Sequence, residues 1–176
     1  KKYAKEAIKL AMDNLADAVN NPFEKARGAM ARAAYLAGKA VSISKTTACH
    51  SISYPMTSYF DVPHGHAVAL TLAQMLLYNS QVTEDDLLDK RGVDYVKNTI
   101  NEIASILGTG SAEDASKKIT SLMIAIGLKT KLWTDNINRP NNITLESKKV
   151  TLDYQECSDA LDKMANYQNK TKQIFK

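Results

Sequence analysis

Lys25-Ala-Arg27-Gly-Ala-Met30-Ala-Arg32-Ala-Ala-Tyr35-Leu-Ala-Gly38-Lys-Ala40 is the stretch on which the fold class turns. Its small residues, Ala26, Gly28, Ala29, Ala33, Ala34, Ala37, Gly38 and Ala40, predict a helix over roughly 22–41 whose axis can approach a neighbour closely. That helix reads as central and well buried, although alanine is also the best helix former in its own right. Asn21 followed by Pro22 reads as an N-cap with proline at the first helical position. Working outward, Tyr3, Ala7, Ile8, Ala11, Leu15 and Val19 recur by threes and fours, which predicts an amphipathic helix over 3–20. On the other side the pattern lapses into hydroxyl residues from Ser42 to Thr47, then resumes through Ala48, Ile52 and Tyr54 as far as Pro55. A loop from Met56 to Pro63 leads to an apolar helix from His64 to Tyr78, and further helices are expected over 93–107 and 112–126. Ser111-Ala-Glu-Asp114 is a capping-box-like start, and Gly127 is a stop. The Asn-rich run 128–150 reads as a long loop, and a last helix is expected over 153–166 before a Lys- and Gln-rich tail. The class is therefore all-α, a helical bundle of about seven or eight helices.

The chain has 176 residues, with 44% apolar and 24% charged, which fits one ordinary globular domain spanning 1–176. Lys plus Arg is 23 against 19 Asp plus Glu, a net of +4. The basic residues are scattered, so no nucleic-acid footprint is expected. Cys49 and Cys157 have neither metal-like nor redox-like spacing and read as reduced thiols of an intracellular protein. No run approaches the ~18 apolar residues of a membrane span. Lys5, Glu6 and Lys9 interrupt any signal-peptide core. The expected location is cytoplasmic, with no membrane partner.

The three histidines, His50, His64 and His66, fall within seventeen residues. Histidine is the commonest metal ligand, so their clustering matters more than their number. His50 lies on a short helix with Tyr54 one turn on, and His64 follows Pro63 at the start of the next helix. A helix, a tight loop and a second helix start can bring His50 and His64 together. His66 is two residues from His64, so at most one of that pair joins His50. The competing reading is of helix-terminal histidines satisfied by backbone carbonyls. A catalytic zinc or ferrous site takes about three protein ligands, and Asp61 is a weak third candidate here. Gly108-Thr-Gly110 lacks a third glycine and a preceding strand, so it reads as a turn rather than a dinucleotide fingerprint. By itself the chain reads as part of an active site.

The small-residue helix quoted above, followed by Cys49-His50 and then Pro63-His64-Gly65-His66-Ala67-Val-Ala69-Leu70, resembles the iron-containing (group III) alcohol dehydrogenases. In that family two ligand histidines stand fourteen residues apart, the second in a Pro-His-Gly segment opening a helix that ends in Tyr-Asn. His50 and His64 have that spacing, and Tyr78-Asn79 stands at the end of the helix. The opening segment from Tyr3 to Val19 and Ile126-Gly127-Leu128 also look like the family. The resemblance spans about residues 1 to 130. It implies the family's C-terminal all-helical, dehydroquinate synthase-like domain, with the N-terminal dinucleotide-binding α/β domain absent from this chain. The remaining metal ligands, typically an Asp and a His, would belong to the segment before Lys1.

The implied cofactors are Fe2+ or Zn2+, held here by His50 and His64, and NAD or NADP, bound mainly by the other domain. The implied reaction is hydride transfer between the nicotinamide and a small alcohol or aldehyde, in a homo-oligomeric full-length enzyme; the fragment alone would be inactive. Where the family usually carries another histidine, four residues after the first ligand, this chain has Tyr54. Tyr54 reads either as a proton donor or relay, although tyrosine is in general a far weaker acid than the histidinium it replaces, or as a packing residue before Pro55. The segment before His50 is glycine-containing and largely neutral in the family, whereas here it carries Lys45, Thr46 and Thr47. A lysine flanked by hydroxyls suggests a pocket for an anionic substrate group; the alternative is a solvated lysine beside capping threonines. With Tyr54-Pro55-Met-Thr57, this segment resembles the phosphonoacetaldehyde reductase branch, which implies a short phosphonate-bearing aldehyde. The ending Met164–Lys170 departs from the family's pattern. Two other readings stand beside this one: a zinc-dependent glycerol dehydrogenase or dehydroquinate synthase-like enzyme, and a non-catalytic helical interaction module whose histidines are structural.

Overall fold

The computed structural model describes residues 1–85, 87 and 89–131. Six α-helices make up its regular structure: α1 Lys2–Asn20, α2 Glu24–Ile43, α3 Ala48–Phe60, α4 His64–Ser80, α5 Val93–Ile106 and α6 Ala112–Ala125. There is no strand among the described residues, as the helical periodicity predicts. The helix expected over 153–166, the loop beyond Lys131, Cys157 and the Met164–Lys170 ending lie outside them.

The hub is α4, which packs against α3, α5 and α6. Its buried residues Ala67, Ala73 and Leu76 explain why: two alanines let neighbours come close, and Leu76 reaches the main core. There Leu76 meets Ile100, Ala104 and Leu107 of the α5 end and Ala112 and Ala115 of α6, with Ile8 and Met12 of α1 packed against the cluster. Full burial of Leu76, Ile100 and Leu107 contributes about 1.5–3 kcal/mol each, and of the alanines less.

The ends of α5 and α6 follow from single residues. The Ser111 hydroxyl accepts the Asp114 amide proton at 3.1 Å, a satisfied N-cap. Gly108 and Gly127 adopt φ of +70° and +76°, which lets the next amide turn back: Thr109 N–H donates to Ala104 O and Leu128 N–H to Met123 O, both at 2.9 Å. Gly108-Thr-Gly110 is thus a helix-ending turn.

Three local expectations are corrected. Asn21 closes α1, its N–H donating to Asp17 O at 3.0 Å, and α2 starts only at Glu24, after an extended Phe23. The small-residue helix α2 is peripheral rather than central. It packs chiefly on α1 through Ala26, Ala33 and Leu36, while Tyr35 is 62% and Ile43 78% exposed. Its alanines provide helix propensity and one close approach, and α4 takes the central position instead. Finally, α3 runs through Pro55 to Phe60. An interior proline costs about 3 kcal/mol in an isolated helix, and packing along α4 offsets it here. The helix ends at Asp61, which has φ +52° and leads through Val62 and an extended Pro63 into α4.

Candidate metal centre

His50 is the third residue of α3 and His64 the first of α4, so a short link between two packed helices decides whether they meet. They do: the ring centroids are 5.4 Å apart with 62° between planes. His50 is half-buried and His64 exposed, so one side of the pair is open. Metal–nitrogen bonds of about 2.0–2.1 Å put each ring centroid roughly 3.2 Å from a shared ion, hence two rings at a tetrahedral angle about 5.2 Å apart. The observed separation fits two imidazoles on one divalent ion. Among the described residues no group of three or more His, Cys, Asp or Glu side chains gathers. Asp61 is exposed and serves as the left-handed end of α3.

A residue that the histidine spacing did not single out joins the pair. Ser53, one turn after His50 and fully buried, donates its hydroxyl proton to the His50 carbonyl at 2.7 Å. The same oxygen lies 3.2 Å from His64 Nδ1. The signal available in the sequence was a hydroxyl at i+3 from a ligand candidate, on the same helix face. Thr57, four residues further along that face, has a buried Oγ1 without a hydrogen-bond partner among the described residues.

Tyr54 also meets His64: the rings are 6.0 Å apart and 21° from parallel. The Tyr54 side is 59% exposed, so it is no interior packing residue. His66 goes elsewhere, its Nε2 donating to the Lys129 carbonyl at 2.7 Å. The backbone-satisfied reading therefore holds for His66. Lys45, Thr46 and Thr47 occupy the exposed α2–α3 link, and Thr47 is the N-cap residue of the helix bearing His50. Its carbonyl accepts from His50 N–H at 3.0 Å.

Two carboxyl groups elsewhere in the chain are shifted by basic neighbours. Arg91, bonded to Asp89 through side chain and backbone, lowers the Asp89 carboxyl to about 2. Lys5 and then Lys1 hold the Glu102 carboxyl below its ordinary value.

Known proteins are similar to this chain in sequence, and one solved structure is similar in fold. The chain is 36% identical over 156 residues to the phosphonoacetaldehyde reductase of Streptomyces viridochromogenes, an alignment covering 89% of this chain and 36% of that protein. It is 37% identical over 78 residues to aldehyde-alcohol dehydrogenase 2 of Entamoeba histolytica, covering 44% of this chain and 9% of that one. The crystal structure of sulfoacetaldehyde reductase from Bifidobacterium kashiwanohense in complex with NAD+ superposes with a TM-score of 0.66 at 26% identity, over 93% of this chain and 36% of that one. The chain thus spans about a third of the length of the reductases it matches. Residues 2–173 match the C-terminal part of the Fe-containing alcohol dehydrogenase family, and the chain belongs to that family.

Proposed function

We propose that the chain supplies the metal-binding helical portion of an NAD(P)-dependent reductase for short aldehydes bearing an anionic group, with phosphonoacetaldehyde the foremost substrate. The observation that carries this reading is the His50–His64 pair at 5.4 Å. Two relatives whose names specify two-carbon aldehydes with a phosphonate or sulfonate support the substrate class. A bound NAD(P)H would supply the hydride for the aldehyde carbon, and the carbonyl oxygen needs a proton to become the alcohol. His50 and His64 hold the Fe2+ or Zn2+, which when bound supplies a Lewis acid that polarises the carbonyl. The Tyr54 hydroxyl, on a ring stacked 6.0 Å from that of His64, delivers the proton. Lys45, Thr46 and Thr47 bind the anionic head group through charge-assisted hydrogen bonds. No helix among the described residues is long and apolar enough to cross a membrane.

The test is nicotinamide oxidation by the full-length protein loaded with Fe2+ or Zn2+, with NADH and NADPH in turn. Phosphonoacetaldehyde should be reduced with a kcat/KM at least about tenfold above that of an uncharged aldehyde of similar size, and chelation should abolish the activity. Equal use of both aldehydes would remove the anionic substrate class. No turnover with either metal would remove the reductase reading.

A further inference from the structure

We propose that Ser53 is a positioning residue that sets the tautomer of His64 and aims its Nε2 lone pair at the metal. The inference rests on the reading of His50 and His64 as ligands. A serine hydroxyl has one proton and two lone pairs. At 2.7 Å from the His50 carbonyl, itself only an acceptor, the Ser53 oxygen must place its proton there. It faces His64 Nδ1, 3.2 Å away, with a lone pair. Two acceptors do not face one another at that distance, so Nδ1 carries the proton. In the neutral ring the remaining lone pair is then on Nε2.

Burial makes the arrangement exacting. Ser53 has no exposure, so bulk water does not compete for its hydroxyl. The single oxygen also grips both ligand-bearing elements, α3 through the His50 carbonyl and α4 through the His64 ring. It thus fixes the ring orientation of one ligand relative to the backbone of the other. Alanine at this position keeps the helix and nearly the same volume but leaves Nδ1 without its acceptor. Partners of this kind typically change metal affinity by about 10–100-fold when removed.

The experiment uses the full-length protein labelled with 15N-histidine. Metal-free wild type is examined well above the ordinary imidazole pKa of about 6.5, so that the ring is neutral. Long-range 1H–15N correlation, with the His64 signals assigned by their loss in His64→Ala, should show Nδ1–H in wild type and a shift towards Nε2–H in Ser53→Ala. Zn2+ affinity, measured by chelator competition, should fall about 10–100-fold in Ser53→Ala. A wild-type His64 protonated on Nε2 overturns the proposal without any variant. So does an unchanged tautomer in Ser53→Ala, or a changed tautomer with unchanged Zn2+ affinity. His64→Ala separates the two levels: if it leaves Zn2+ affinity intact, the ligand reading itself fails, whereas loss in His64→Ala with none in Ser53→Ala overturns only the role of Ser53.

Discussion

The Tyr54 ring, itself largely exposed, lies 21° from parallel to the His64 imidazole and 6.0 Å from it. Stack and hydroxyl are separable. Tyr54→Phe keeps the ring and should lower kcat about 100-fold, the lower end of general acid catalysis, with little change in KM or metal affinity. Tyr54→Ala should lower metal affinity as well. Activity of Tyr54→Phe within twofold of wild type would leave the tyrosine only a packing role.

Removing a ligand should cost more than removing a residue behind it. His50→Ala and His64→Ala are each expected to weaken Zn2+ or Fe2+ binding by more than the roughly 100-fold upper range of outer partners. His66→Ala should leave binding within about twofold, because its Nε2 is committed to the Lys129 carbonyl. Metal content after dialysis against a graded chelator series would read all three.

Under the proposed function, Lys45→Ala tests the substrate's charge. A charge-assisted hydrogen bond is worth about 1.5–3 kcal/mol, so Lys45→Ala should cost about ten- to a hundred-fold in kcat/KM with phosphonoacetaldehyde. The loss should largely vanish with an uncharged aldehyde. Equal losses on both would make Lys45 a support of the α2–α3 link rather than a substrate contact.

Leu76 and Ser111 set the scale of the scaffold. Leu76→Ala empties a position shared by α4, α5 and α6 and should cost about 2–5 kcal/mol in chemical denaturation. Ser111→Ala removes one satisfied N-cap bond and should cost about 1 kcal/mol. A Leu76→Ala loss no larger than that of Ser111→Ala would contradict the assignment of the core.

Asp89 and Arg91 predict a behaviour in acid. The carboxyl is lowered from 3.8 to about 2 when folded, so the folded state binds its proton less readily than the unfolded chain. The stabilisation is fully present above pH 3.8 and is lost as pH falls towards about 2. Arg91→Ala should return the carboxyl towards its ordinary value, read by NMR titration, and remove that portion of the acid transition. An unchanged Asp89 titration would show that the pair does not hold in solution.

The helices were legible because their signals are local. Ser111 with Asp114, Gly108 and Gly127 each act within one turn, and the structure uses them as their chemistry suggests. The burial of α2 was not legible, because Ala26 to Ala40 serve propensity and packing with the same residues; only the choice of neighbour distinguishes them, and that choice is non-local. Pro55 misled for a related reason, its intrinsic cost being set against contacts with α4 that no local window contains. At the site, the spacing of His50 and His64 only allowed them to meet, and the resemblance to the family singled out the pair whose rings lie 5.4 Å apart. Ser53 escaped because a serine inside a helix usually just bonds its own backbone, as this one also does.

The link from Asp61 to Pro63 has a further meaning as a measure of length. From Ser53 to Phe60 the helix α3 advances about 10 Å away from the pair. The chain must recover that distance before His64 can reach the Ser53 hydroxyl. Four steps from Phe60 to His64 cover at most about 14 Å, and the left-handed turn at Asp61 uses part of it. Shortened by one residue, the link would reach only about 10 Å and could not both reverse direction and return. The two imidazoles are thus held at their distance by how many residues separate them. Side chains along Asp61–Pro63 can change at modest cost, but a residue cannot be lost from it without parting His64 from His50.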